Sequence, residues 1–525
     1  MRDFQRPGRS IVYATDGMCA TSHPLASFTA IQTLKNGGNA MDAAIAGAIL
    51  LGFCEPQMTG IGGDCFVLFT RPGATKVQAL NGSGRAPKAA SAAALRAKGH
   101  EVVPPYSPDA VTIPGAIDAF CHLSETEGKL GLDALLAPSI HYAEAGIPIA
   151  PRVALDLKAD TATLQGGAVA RYSKAGQPLK AGDLFRSPEQ AEVLRRIARD
   201  GRDAFYKGEV ADDMLAALHA NGGAHTADDF ANERCTSTTP ISGHYRGVEL
   251  LEHPPNGQGA AAILLLNILK HFDLPDMDPL GAERAHIEAE ATKLAYDTRN
   301  RIVADPDHTA RLSHLLSPET AASLAALISK DRVIADPAPI SEAVHKETIY
   351  ITVVDRDRMA VSLIYSIFHG FGSGIASEKF GILLHNRGAG FTLQEGHPNE
   401  LAGGKRPMHT IIPGMLAENG RVTVPFGVMG GQYQSCGHAR FVTNITDFGM
   451  DLQTALDAPR LFPEAGELRV ESGFPDATCQ ALADLGHDIV TPEEPIGGAQ
   501  AIRIRPDGVL EGASDPRKDG CALGY

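Results

Sequence analysis

The sequence predicts an α/β protein built as a layered sandwich, and three observations carry that prediction. Helical patterning fills both ends of the chain, strand-rich sequence dominates from 347 to 430, and no repeat or low-complexity linker separates the blocks. Strands enclosed by helical blocks in one uninterrupted chain favour stacked layers over an array of small domains. With 525 residues, of which 44% are hydrophobic and 21% charged, the chain can bury a large core.

The elements follow in order. "HPLASFTAIQTLKNGGN" (23–39) reads as a helix stopped by Gly37-Gly38-Asn39. "AMDAAIAGAILLGF" (40–53) is apolar on nearly all sides and predicts a core helix. The turn-rich "EPQMTGIGGD" (55–64) then leads into the strand "CFVLFT" (65–70). From about 115 to 330 the pattern is mostly helical, with breaks at "AGIPIAPR" and "HPPNGQGAAA". The C-terminal part returns to helix in "DLQTALDA" and "DATCQALADLG", with short strands between. The polar, proline-containing segment 334–347 is expected to be exposed, where chain cleavage is tolerated.

Charge and composition exclude several partners. A net charge of −15 argues against nucleic acid and anionic membrane, both of which need clustered Lys and Arg. The N-terminal "MRDFQRPGRSIVYATDGM" lacks the apolar stretch of a secretory signal. The longest apolar run, "AAIAGAILLGFC" (43–54), is too short to span a bilayer. Eight cysteines form no C-x-x-C pair, so neither a disulfide framework nor a zinc ribbon is indicated. The expectation is a cytoplasmic protein.

Chemistry-bearing candidates fall in a few segments. In "TIYITVVD" (348–355) and "MAVSLIYSI" (359–367) side chains alternate between two faces, and "DRDR" (355–358) supplies the turn. Folding these strands back antiparallel sets Thr348 opposite Tyr365 or Ser366, a pairing equally at home in an ordinary sheet. "GFGSG" (370–374) lacks both the Gly-Lys-Ser/Thr of a phosphate loop and the G-x-G-x-x-G spacing, which weakens any nucleotide-binding reading. In "VMGGQ" (428–432) the consecutive amides of Gly430 and Gly431 are a candidate oxyanion hole, although most Gly-Gly pairs are turns. Arg85, Arg387 and Arg406 each carry a fork that can grip a substrate carboxylate or serve an ordinary ion pair. No H-E-x-x-H or G-x-S-x-G motif occurs, and the nineteen histidines form no obvious ligand pair.

Taken together, "GGNAMDAAIAGAILLGFCEPQMTGIGGDCFVLF", "TIPGAIDAF", the hairpin from Thr348 through "FGSGI", "GKRPMHTIIP", "VMGGQ" and "EGASDPRKDGCALGY" resemble the γ-glutamyltransferase family of N-terminal-nucleophile hydrolases. The blocks occur in the family's order over nearly the whole chain. The resemblance implies a four-layer αββα sandwich, made as a zymogen that cuts itself between Glu347 and Thr348. The products are a large subunit (1–347) and a small subunit (348–525), intertwined as one globular unit. Thr348 then supplies the nucleophilic hydroxyl, and its freed α-amine, with an unperturbed pKa of about 7.7–8.0, is the general base. Ser366 occupies the position of the family's second hydroxyl, which orients the threonine. Gly430 and Gly431 match its oxyanion glycines. This chemistry needs no metal or organic cofactor, and the resemblance leaves a dimer of heterodimers open.

The departures from the family pattern share a direction. The cut is followed by Thr348-Ile349-Tyr350 instead of Thr-Thr/Ser-His, and Phe368 stands at the family's asparagine. Arg387 and Gly390 replace the glutamine and aspartate that clamp a substrate α-amino group. His409 and Thr410 replace a serine pair, and the substrate arginine is displaced to Arg85. Losing a carboxylate while gaining an arginine disfavours an α-ammonium group and leaves Arg85, Arg387, His409 and Thr410 to hold a carboxylate. "IFHGFGSG", "NRGAGF" and "KRPMHTIIP" look like the branch containing oxamate amidohydrolases. The expected activity is therefore hydrolysis of a small carboxylate-bearing amide such as oxamate. A γ-glutamyltransferase or glutathione hydrolase with an altered amine clamp, and an inactive binding remnant, are the alternatives.

Overall fold

Two seven-stranded sheets, antiparallel throughout, lie face to face at the centre of the molecule. One runs in the order Cys521–Gly524, Met18–Thr21, Ile349–Val354, Ala360–Ser366, Asp64–Thr70, Gln78–Gly82, Thr236–Thr238. The other runs Val12–Ala14, Leu510–Ser514, Gly498–Ile504, Arg421–Met429, Gly414–Glu418, Val248–Glu252, Ile241–Tyr245. This computed structural model describes residue 5, residues 8–334 and residues 348–525. Glu347 and all but Ile334 of the segment 334–347 lie outside the described residues.

Helices cover both outer faces. Pro24–Lys35 and Ala40–Cys54 pack on the first sheet in one apolar core with Ile349, Ile351 and Val353. Gly259–Leu269, Ala282–Ile302 and Gln434–Thr446 pack on the second in a core with Phe426 and Val428. The result is the four-layer αββα sandwich. Strands buried on both faces explain why Ile349–Val354 and Ala360–Ser366 contain no exposed residue.

Local sequence explains the elements that matter most. Asn39 and Asp42 form a reciprocal capping box at the start of the buried helix Ala40–Cys54. The preceding helix ends at Lys35, and Gly37 takes φ +98°, a left-handed conformation that glycine adopts without strain. Among the described residues no helix is long and apolar enough to cross a membrane.

Two expectations need refining. The region 115–330 is mostly helical but not without interruption: residues 236–252 form three strands that close the edges of both sheets. The turn Arg246-Gly247, with φ +41° and +91°, joins two of them as a tight hairpin. Nor is 347–430 strand-rich along its length. Between Ser366 and Gly414 the chain is irregular apart from one short 3₁₀ turn and isolated bridges, and this stretch carries Phe368, His385, Arg387, His409 and Thr410.

The residues on either side of the proposed cut alternate through both sheets. Ile349–Val354 pairs with Met18–Thr21 on one side and with Ala360–Ser366 on the other, while Gly414–Glu418 pairs with Val248–Glu252. Between the sheets, Tyr350 lies with Phe66, Ile364, Ile411 and Met429 in a buried cluster, and its hydroxyl meets Ser362 Oγ at 2.6 Å. Gly427 is what lets the sheets approach there, because a Cβ at that position would fall 2.3 Å from the Tyr350 ring. Gly427→Ala is therefore expected to lower stability by about 1–3 kcal/mol through overpacking. Urea denaturation of the full chain checks this, and an unchanged midpoint contradicts the close approach.

Candidate active site

The site is built where three neighbouring strands reach the same level of the first sheet. Ile349 pairs with Tyr365 and Ser366 pairs with Asp64, so Thr348, one step before Ile349, faces Ser366 rather than Tyr365. The Thr348 hydroxyl lies 3.4 Å from Ser366 Oγ, with both residues buried. Ser366 Oγ also accepts the Phe368 N–H at 2.9 Å. Period-two alternation puts Thr348, Ser366 and Asp64 on the same face as Tyr350, Ile364 and Phe66, the face between the sheets. Met429, in that same inter-sheet cluster, directly precedes Gly430 and Gly431, which take φ +119° and +57°.

Asp64 was not singled out from the sequence, although it closes the quoted "GIGGD". It is fully buried and its carboxylate is a hub. Oδ1 accepts the Gly84 and Gly115 N–H groups at 3.1 and 3.2 Å. Oδ2 faces His409 Nε2 at 3.2 Å, His385 Nδ1 at 3.4 Å and Arg387 Nε at 3.8 Å. His409 Nδ1 accepts the Ile411 N–H, so its Nε2 carries the proton and donates to Asp64. His385 Nε2 donates to the Thr112 carbonyl at 2.7 Å.

Burial pushes the Asp64 carboxyl up, but His385, His409 and Arg387 outweigh it and hold it at about 2. Burial, reinforced by Arg387, takes His409 down to about 3, which keeps it neutral. Burial also draws Arg387 down to about 9, against the pull of Asp64; it stays a cation at neutral pH.

Arg387 is fully buried, and its guanidinium sits 4.2 Å over the Phe368 ring. Nη1 donates to Thr410 Oγ1 at 3.2 Å, whereas Nε and Nη2 have no hydrogen-bond partner among the described residues. A buried guanidinium with donors to spare is primed for an anionic group. Phe368 itself takes φ +81°, a strained conformation for an aromatic residue. On the other side of Phe368 lies a cavity of about 260 Å³, lined by Phe368, Gly390, Met408, Gln432 and Arg299 and not by Arg387 or Thr348.

The structure thus brings Arg387, His409 and Thr410 together and leaves Arg85 apart. Arg85 is partly exposed and faces Asp305 at 3.7 Å. Arg406 is consumed internally, donating to the Ser83 and Arg234 carbonyls and to Thr236 Oγ1. A further residue missed from sequence is Gln258, whose Nε2 donates to the carbonyls of Thr410 (2.6 Å) and Gly431 (3.1 Å). Arg299 Nη1 grips Gln258 Oε1 and Gln432 Oε1. "HPPNGQG" signalled only a helix break, because Gln258 acquires its role through contacts more than 150 positions away.

A model of the gamma-glutamyltranspeptidase family matches residues 26–525. The chain belongs to that family. It is 35% identical over 98% of its length to the glutathione hydrolase-like YwrD proenzyme of Bacillus subtilis (strain 168), covering 99% of that protein. It is 34% identical over 98% of its length to the oxamate amidohydrolase proenzyme of Klebsiella pneumoniae, again covering 99% of the relative. Among solved structures, a cephalosporin acylase from Bacillus halodurans superposes with TM-score 0.92 at 38% identity, with 100% of this chain and 99% of that one covered. The family's members are N-terminal-nucleophile hydrolases made as proenzymes, and this chain is an enzyme of that class.

Because the Asp64 carboxyl is held near 2 against an ordinary 3.8, it stabilises the fold above about pH 4 and that stabilisation disappears as pH falls toward 2. The shift corresponds to about 2 kcal/mol. Stability measured by urea unfolding should therefore drop about 2 kcal/mol less over this acid range in Asp64→Asn than in the parent. Identical acid slopes contradict the hub.

Proposed function

We propose that the chain is a self-processing amidohydrolase that cleaves a small amide bearing a carboxylate, oxamate being the leading candidate. The single observation that carries this reading is Arg387, buried beside Thr410 and Phe368 with Nε and Nη2 free of hydrogen bonds among the described residues and only a 3.8 Å ion pair to Asp64, where Gly390 offers no carboxylate for an α-ammonium group. The likeness to an oxamate amidohydrolase at 34% identity supports it.

Processing begins with attack of the Thr348 hydroxyl on the Glu347 carbonyl. The acyl group passes from nitrogen to oxygen, and water hydrolyses the ester, freeing the Thr348 α-amine and the Glu347 carboxylate. In turnover, that amine takes the hydroxyl proton as Thr348 Oγ adds to the substrate carbonyl. Ser366 orients the hydroxyl, and the amides of Gly430 and Gly431 stabilise the oxyanion. Collapse returns the proton to the departing amine, and water then hydrolyses the acyl-threonine ester. Arg387, positioned by Asp64, holds the carboxylate with Thr410, and His409 braces the same Asp64 carboxylate; Arg85, which faces Asp305, takes no part.

A second reading has one specific support. The cavity of about 260 Å³ is roomy for oxamate alone, and a cephalosporin acylase is a close structural neighbour. A longer acyl group would extend past Phe368 and Gly390 into that cavity, with Arg299 among its lining residues.

Side-by-side assays of oxamate, a carboxyl-terminated acyl anilide and a γ-glutamyl anilide distinguish these readings. Turnover of the γ-glutamyl compound alone defeats both. Arg387→Ala should lower kcat/KM for the carboxylate substrate by about 10²–10³-fold, chiefly through KM. Thr348→Ala should leave a single uncut chain of 55.3 kDa on a denaturing gel and abolish hydrolysis; a cleaved or active variant contradicts the assignment.

A further inference from the structure

A second polar cluster shares no residue with the Thr348 site. It lies where the long helix Ala282–Ile302 meets the loop following helix Asp476–Asp484. His286 and Glu290 stand one turn apart on the first helix and so project from one face. His487 comes from the loop. All three are buried, and one ligand-capable atom of each lies within 4.8 Å of the others.

Hydrogen-bond partners fix the two rings. His286 Nε2 lies 2.7 Å from the Ser329 carbonyl oxygen, which can only accept, so Nε2 carries the proton and Nδ1 presents a lone pair. His487 Nε2 donates to that Nδ1 at 2.8 Å. Glu290 accepts from Lys293 Nζ at 2.5 Å on one oxygen and from the Ile334 N–H at 2.6 Å on the other.

We propose that His286 Nδ1, His487 Nε2 and Glu290 form a site for a divalent transition-metal ion of the zinc class. Two neutral imidazoles and a carboxylate are the ligands such ions take when three come from protein and one position stays open. The bond from His286 to the Ser329 carbonyl is the kind of outer contact that fixes a ligating imidazole. Binding is an exchange of cations. The proton on His487 Nε2 moves to Nδ1, which frees a second lone pair with no net release. Lys293, whose side chain is 15% exposed, leaves Glu290 for solvent. The two ring nitrogens separate from 2.8 Å to about 3.3 Å, as two zinc–nitrogen bonds at a tetrahedral angle require.

The position gives the ion a role. His286 and Glu290 precede residue 347 and His487 follows it, so the ion joins the two prospective subunits. Val333 N–H also donates to the Leu485 carbonyl at 3.1 Å, a second tie between the two regions at the same corner. The ion acts there as a clamp and takes no part in hydrolysis.

Titration of the metal-stripped full chain with Co²⁺, followed by visible absorption and by competition with Zn²⁺ in a calorimeter, tests the site. The expected result is one saturable equivalent with a tetrahedral spectrum, accompanied by a rise in Tm. Both signals should vanish in His286→Gln and His487→Gln. Lys293→Gln should bind about tenfold more tightly, because the competing ammonium is gone. That variant keeps the test decisive if a histidine variant fails to fold. No saturable binding by the parent, binding that survives in both histidine variants, or unimproved binding in Lys293→Gln overturns the proposal.

Discussion

Ile349 pairs with Tyr365 and Ser366 with Asp64, and that register is the constraint on which the rest of the site depends. It sets a hydroxyl, a second hydroxyl and a carboxylate side by side on three adjacent strands, all facing the inter-sheet layer. A slip of one residue would turn each of them toward the helices. The register is held from both sides: Ile349, Ile351 and Val353 are locked in the helical core, and Tyr350 is pinned between sheets by Ser362 and by the missing side chain at Gly427.

Asp64 converts that geometry into electrostatics. One carboxylate oxygen is spent on the backbone of Gly84 and Gly115, which fixes the group rigidly. The other organises His409, His385 and Arg387, all drawn from the irregular stretch between Ser366 and Gly414. An anion buried this deeply is tolerable because cationic and donor groups surround it. Arg387 in turn is a cation whose charge is only partly answered, which leaves attraction for a substrate anion. Gln258, braced by Arg299, ties Thr410 to Gly431, so one side chain links the residues that would hold the substrate to those that would hold the oxyanion.

Much of this was legible in the chain. The glycine stop at Gly37, the all-apolar helix after Asn39, and the hairpin turn at "DRDR" are local signals, and the structure reproduces them. The turn left Thr348 opposite either Tyr365 or Ser366, and the pairing of Ile349 with Tyr365 selects Ser366. The strands between 236 and 252 were not seen, because their residues are half-exposed and mixed with polar ones, which blurs period-two patterning. The stretch 367–413 misled in the opposite way: its apolar residues are buried without a regular ladder, held by single cross-links such as Ser373 N–H to the Leu384 carbonyl. Asp64 reads locally as a turn residue, and His286 and His487 stand 201 positions apart. No spacing rule reaches that far.

The central claim is that Thr348 becomes a chain terminus whose own amine serves its hydroxyl. Intact-mass analysis of the purified protein combined with N-terminal sequencing of its smaller fragment tests this most directly. The account predicts two fragments, the smaller beginning Thr-Ile-Tyr. A fragment beginning elsewhere, or an active enzyme that remains one chain, would contradict it.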